Sequence, residues 1–166
     1  MLDKAQVRAV IKLLSNSDLI TRPALRQIFE KDGWLWATDG YVAFKIAEIK
    51  DELKGKRITL DDLKAWNKAH TKASDRIGND IFTDNEFNQP DMLSLFECEF
   101  EPSADPWFDA TKLKLACDLL EITGVRLETS KANRNLYKVV PLDENEPHVM
   151  TRAMESQVYI MGLQKT

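Results

Sequence analysis

Few residues in this chain have both the type and the spacing for chemistry. There are two histidines, His70 and His148, and neither stands in a His-Glu-x-x-His or Cys-His arrangement. Cys98 and Cys117 form no Cys-x-x-Cys pair and no zinc spacing, which reads as two free thiols in a reducing compartment. The acidic run over 75–91 lacks the Asp-x-Asp-x-Asp-Gly order of a calcium loop. No glycine-rich phosphate cradle and no Gly-x-Ser-x-Gly elbow occurs. Asp39 has the right type for a general base, but Asp before Gly at a strand corner reads as a turn residue. The expectation is a protein without catalytic residues, cofactor or metal.

The remaining chemistry is electrostatic. Lys4, Arg8 and Lys12 recur every four residues, as do Lys64, Lys68 and Lys72. On a helix that spacing gives a cationic stripe, which can meet phosphates without reading bases. The net charge of −4 over 166 residues excludes a generally basic nucleic-acid binder, so contact with DNA must come from such local concentrations. An ordinary solvated helix face has the same pattern.

Composition is that of a soluble globular domain, 43% hydrophobic and 30% charged. A chain of this length buries roughly 70% of its unfolded surface and needs no staple. The N-terminus shows no apolar signal region and no run reaches membrane-spanning length, so the expected location is the cytoplasm, with no membrane contact.

The elements that must carry the stripes follow from periodicity. Residues 3–14 read as a helix with Asp3 as cap and Val7, Val10, Ile11 and Leu14 on one face. Residues 24–31, 34–38 and 41–46 read as a three-stranded meander turned at Asp32-Gly33 and Asp39-Gly40. Val42, Phe44 and Ile46 alternate onto one buried face. Trp34 and Trp36 share the face opposite Leu35 and Ala37, which calls for a second layer or a partner there. Residues 50–57 read as a charged, solvated connection. Thr59 caps a helix expected to run to about Lys72, with Leu60, Leu63 and Trp66 inward. Only Ile81-Phe82-Thr83 reads as strand in the polar stretch 73–91.

The second half repeats the order. A strand near Trp107-Phe108 precedes a helix capped by Asp109 or Thr111 and stopped at Gly124, with Leu113, Ala116 or Cys117, and Leu120 inward. Runs at 125–129, 136–142 and 157–163 read as strands, with a shorter one near 148–152. Helix followed by strands, used twice, predicts an α+β layer architecture with antiparallel sheet and helices on one face. The chain reads as one domain: a first half over about 1–50, a helical and polar insertion over about 51–91, and a second half over about 92–166.

Several of these pieces resemble one family. Thr21-Arg22-Pro23-Ala24-Leu25, the strand after it, Lys31-Asp32-Gly33 and then Ala37-Thr38-Asp39-Gly40 resemble the bacterial sliding clamp, the DNA polymerase III β subunit. Phe87-Asn88-Gln89-Pro90-Asp91, Trp107-Phe108-Asp109 with Leu113 and Leu115, and Val158-Tyr159-Ile160-Met161-Gly162-Leu163 follow in the family's order. The resemblance covers most of 2–48 and 87–163. A clamp subunit carries three such domains and this chain has length for one, so it looks like a compact, phage-borne, clamp-like protein.

The resemblance implies a DNA-clamp-like fold and a non-enzymatic processivity role in DNA replication. Pore-facing cations would be Lys4, Arg8, Lys12, Lys64, Lys68 and Lys72. A peptide pocket carried over residue by residue comprises Leu25, Thr38, Gly40, Tyr41, Val42, Pro90, Leu95, Tyr159 and Met161. The family's His-Arg after Asp-Gly is Tyr41-Val42 here. Implied partners are duplex DNA, a DNA polymerase or another replication protein, and further copies of the chain, since a ring of six domains needs six single-domain chains. The alternative reading is a monomeric interaction module that modulates a host clamp or polymerase without encircling DNA. Met92-Leu93-Ser94-Leu95-Phe96 also resembles a clamp-binding peptide, although a buried turn between the halves is the reading preferred for it.

Overall fold

A computed structural model describes residues 2–49, 51–89, 92, 98–102, 109–122, 125–133, 135–141 and 157–161. The expected strand at Trp107-Phe108, the stop at Gly124, the run at 148–152, and Pro90 and Leu95 lie outside the described residues. Among the described residues the architecture is α+β: three α-helices and nine strands in one antiparallel sheet.

Helix α1 spans Lys4–Leu14. Asp3 accepts from the backbone N–H of Ala5 and Gln6 at 3.0 Å each, and Gln6 Oε1 accepts from Asp3 N at 3.3 Å. This reciprocal box satisfies donors that a helix start otherwise leaves open. Val7, Val10, Leu13 and Leu14 are buried, and Ile11 is only half-buried.

The meander forms as its pattern demands. Strand β1 is Gln27–Lys31, β2 is Trp34–Thr38 and β3 is Val42–Glu48. Asp32 and Gly33 both take positive φ, 54° and 83°. A two-residue hairpin of this hand needs that conformation at both positions.

The expected charged connection turns out to carry a strand. β4, Lys56–Thr59, pairs with β1, and β5, Thr83–Asp84, pairs with β4. Cross-strand polar contacts hold this edge: Lys56 Nζ meets Asp84 Oδ1 at 2.6 Å, and Arg57 donates to buried Gln27 Oε1 at 3.2 Å. The stretch read as an insertion thus extends the same sheet. Helix α2, Leu60–Ala69, is capped by Thr59 as expected but stops at His70, short of Lys72. Helix α3 spans Ala110–Leu120 behind an Asp109 cap. Its inward residues are Leu115, Ala116, Leu119 and Leu120; Leu113 and Cys117 are half-buried.

Strands β6 (Phe100–Pro102), β7 (Val125–Ser130), β8 (Leu136–Pro141) and β9 (Gln157–Met161) complete the sheet, in the order β5-β4-β1-β2-β3-β9-β8-β7-β6. Apart from β5 at one edge, the order mirrors about its middle: α1-β1-β2-β3 and α3-β7-β8-β9 are the same unit, joined where β3 pairs with β9. β4 flanks β1 as β6 flanks β7, yet β4 follows its three strands whereas β6 precedes its helix.

The sheet separates two apolar layers. On one face all three helices pack over Ile28, Leu35, Ala37, Val42, Phe44, Val158 and Ile160. The opposite face carries Phe29, Trp36, Leu136 and Tyr159, with Met92 seated on them and Trp34 alongside. This is the second layer that the two tryptophans call for. Lys45, buried on this face, places its ammonium 3.5 Å from the Trp34 ring centroid. Burial, followed by the charge of Lys138, pushes its pKa down.

Tyr159 donates to Gln157 Oε1 at 2.6 Å, and burial chiefly pushes its phenol from 10.0 up to about 12. The folded state therefore retains a proton that the unfolded chain releases first. The stabilisation is complete below about pH 10 and is lost as pH rises towards about 12, at about 1.4 kcal/mol per pH unit. Urea unfolding across the alkaline range should show this fall, and Tyr159→Phe should remove that part of it. An identical alkaline profile in the variant would contradict the burial argument.

Candidate functional site

The corner between β2 and β3 is built on one buried carboxylate. Asp39 Oδ1 accepts from the backbone N–H of Tyr41 at 2.9 Å and Val42 at 2.8 Å. Its Oδ2 accepts from Asn16 Nδ2 at 3.2 Å and from Lys112 Nζ at 2.5 Å. The Asp39 side chain is 1% exposed and that of Lys112 22%. One carboxylate therefore ties together the end of α1, the sheet corner of the first half and the first turn of α3 in the second. A buried charge persists only with such partners. The turn reading of Asp39 holds, and the same residue also joins the halves.

Thr38 completes the corner. Its hydroxyl donates to Val42 O at 2.9 Å and accepts from Gly40 N at 3.0 Å. Gly40 has φ +88°, and a Cβ there would lie 3.5 Å from Arg22 Nη1. The corner is rigid by construction and presents Tyr41 to solvent. Tyr41 is 51% exposed and Met161 38%. Met161 N donates to Tyr41 O at 2.7 Å, and the Lys112 ammonium lies 5.3 Å from the Tyr41 ring centroid.

The expected pocket set is only partly brought together. Gly40, Tyr41 and Met161 meet at this corner. Leu25 is half-buried at the end of a short 3-10 turn, Pro23–Leu25. Thr38 is consumed by the turn. Val42 pairs with Ile160 and faces the helices, whereas Tyr159 pairs with Ala43 and faces the other layer. Residues on opposite faces of one sheet cannot line one pocket. Pro90 and Leu95 lie outside the described residues.

The cationic stripes are also redistributed. Lys4 is not on the solvent side: it is 5% exposed, and its ammonium donates to the carbonyls of Asn67 and His70 at the end of α2, near the Trp66 ring. It pegs α1 to α2 and satisfies carbonyls that a helix end leaves open. Lys72 lies beyond α2. Arg8, Lys12, Lys64 and Lys68 remain exposed on the helix layer. Arg8 and Lys12 line one side of an open groove of about 440 Å³, with Asp118 of α3 and its C-cap residue Glu121 on the other. Cys117 lies in the same groove with its thiol pKa pushed up, by burial first and then by Asp118, so it is a poor nucleophile. Among the described residues no three His, Cys, Asp or Glu side chains are placed to hold a metal ion, and no helix is long and apolar enough to cross a membrane.

No family model, curated protein or solved structure matches this chain. Asn16 and Lys112 are the residues that sequence reasoning missed. A buried Asp at a strand corner signals that a cation must be near, but nothing in spacing says that it comes from 73 residues away.

Asp39→Asn keeps an acceptor for the turn and removes the charge facing Lys112. It should cost about 2 kcal/mol in urea unfolding. A double-mutant cycle with Lys112→Met should return a coupling above about 1 kcal/mol. Additive effects of the two changes would mean that the pair does not join the halves.

Proposed function

We propose that this chain is a non-enzymatic, clamp-like protein of DNA replication, acting in the cytoplasm by holding a polymerase or another replication protein on duplex DNA. The observation that carries this reading is the repeated unit of one helix and three strands, joined edge to edge through β3 and β9 with the helices on one side. It is the arrangement that the sliding-clamp resemblance implies. Arg8, Lys12, Lys64 and Lys68 supply exposed helix cations for phosphate contact without base readout. Gly40, Tyr41 and Met161 supply a rigid corner for a protein partner.

A second reading, the monomeric interaction module, is favoured by the ends of the sheet. Among the described residues the outermost strands are β5, two residues long, and β6, three residues long and containing Pro102. Short edges of this kind resist strand-to-strand pairing with another chain, the simplest way to close a ring.

Anisotropy of a labelled duplex over a salt series tests the two readings. With four helix cations on phosphates, log affinity should fall with log salt at a slope of about −3 to −4. Reversing Arg8, Lys12, Lys64 and Lys68 to Glu should flatten that slope. Light scattering should show assemblies larger than a monomer when duplex is present. A strict monomer whose duplex affinity ignores both salt and the four reversals would overturn the clamp reading and leave the interaction module.

A further inference from the structure

The groove between α1 and α3 has walls of opposite sign. Arg8 and Lys12 stand on the α1 side with Ala5 and Ala9, and Asp118 of α3 and its C-cap residue Glu121 stand on the other. Arg8, Lys12 and Glu121 are exposed. Asp118 is met at 3.3 Å by Lys114, four residues earlier on the same helix, whose side chain is 71% exposed. Exposed pairs of that spacing are worth only a few tenths of a kcal/mol and exchange partners readily. A polyanion laid along this groove gains two cations and confronts two carboxylates. The pattern matches a surface that is itself divided into an acidic and a basic strip.

A second copy of this chain presents such a surface. Rotation by 180° about an axis running along the groove carries α1 of one copy over α3 of the other. Each basic wall then faces an acidic wall, twice, as a two-fold interface requires. An axis across the groove would set like charge on like. The small side chain of exposed Ala5 lets the two helix layers approach closely. The geometry points to a homodimer in which two copies pack helix layer to helix layer through the α1–α3 groove, covering Arg8 and Lys12. This dimer does not rest on the replication reading. It differs from an edge-to-edge ring and competes with duplex DNA for the same two cations.

The test uses the full chain without DNA, in sedimentation velocity at several protein concentrations and salts. The wild type should dimerise at low salt, with a dissociation constant that rises about tenfold or more as salt screens the walls. R8E/K12E makes both walls acidic, and D118K/E121K makes both basic. Each variant alone should be monomeric, and an equal mixture of the two should form a heterodimer. Ala5→Trp, a bulky residue at an exposed position, should block the dimer without changing charge. A wild type that stays monomeric at every concentration and low salt overturns the proposal. So does a dimer that survives both charge reversals, or folded variants that do not pair when mixed. Should a reversal variant lose its circular dichroism signal, the wild-type salt series and Ala5→Trp decide the question. The replication reading fails separately, through the loss of salt-dependent duplex binding.

Discussion

Everything in this molecule depends on the pairing of β3 with β9. That ladder runs over four registered positions, from Val42 opposite Ile160 to Lys45 opposite Gln157. It is where two units, each too small to bury its own apolar faces, become one sheet with a common core. Above it, Val42, Phe44, Val158 and Ile160 form a continuous floor for the helices. Below it, Tyr159 joins the layer of Trp36 and Phe29. Without this ladder each half would present an open strand edge and a half-covered apolar face, which is the situation that leads to aggregation.

Polar groups secure what the ladder joins. Asp39 binds Lys112 across the two halves at one end of the ladder, beside the hydrogen bond from Met161 N to Tyr41 O. Lys4 does similar work between α1 and α2. In each case a residue type usually found on surfaces is buried, because a partner from a distant element satisfies it. Such contacts contribute modestly to net stability, but removing one partner strands the other in a low-dielectric interior. They therefore select one relative placement of the elements more than they add to the strength of the fold.

Local pattern carried much of the architecture. The alternation of Val42, Phe44 and Ile46, the Asp-Gly corners, and the caps at Asp3, Thr59 and Asp109 each act over a few residues, and each was legible. β4 was not. Lys56-Arg57-Ile58-Thr59 holds a single apolar residue, and the strand exists because β1 offers an edge and β5 covers it. The stripes misled for a related reason. Charge at every fourth residue defines a helix face but not what covers that face, so Lys4 reads like Arg8 although only one of them meets solvent. Register divides the expected pocket set between the two faces of the sheet. Val42 and Tyr159 sit in adjacent strands one position out of step, and that single step puts a sheet between them.

The redistribution of charge bears on how an acidic protein could approach a polyanion. With a net charge of −4, attraction must come from patches whose field is not cancelled within a Debye length, about 8 Å at physiological salt. Along α1 the exposed cations share a groove with Asp118 and Glu121, so their field is largely spent locally. Along α2, Lys64 and Lys68 lie downstream of Asp61 and Asp62, which sit in the helix's first turn where they complement its dipole. Lys64 and Lys68 therefore follow the acidic first turn, towards the C-terminal end of α2. The helix layer thus carries exposed charges of both signs, with Lys64 and Lys68 beyond the acidic turn of α2. Such a surface favours partners patterned in the same way and holds a uniform polyanion only where that end can reach it.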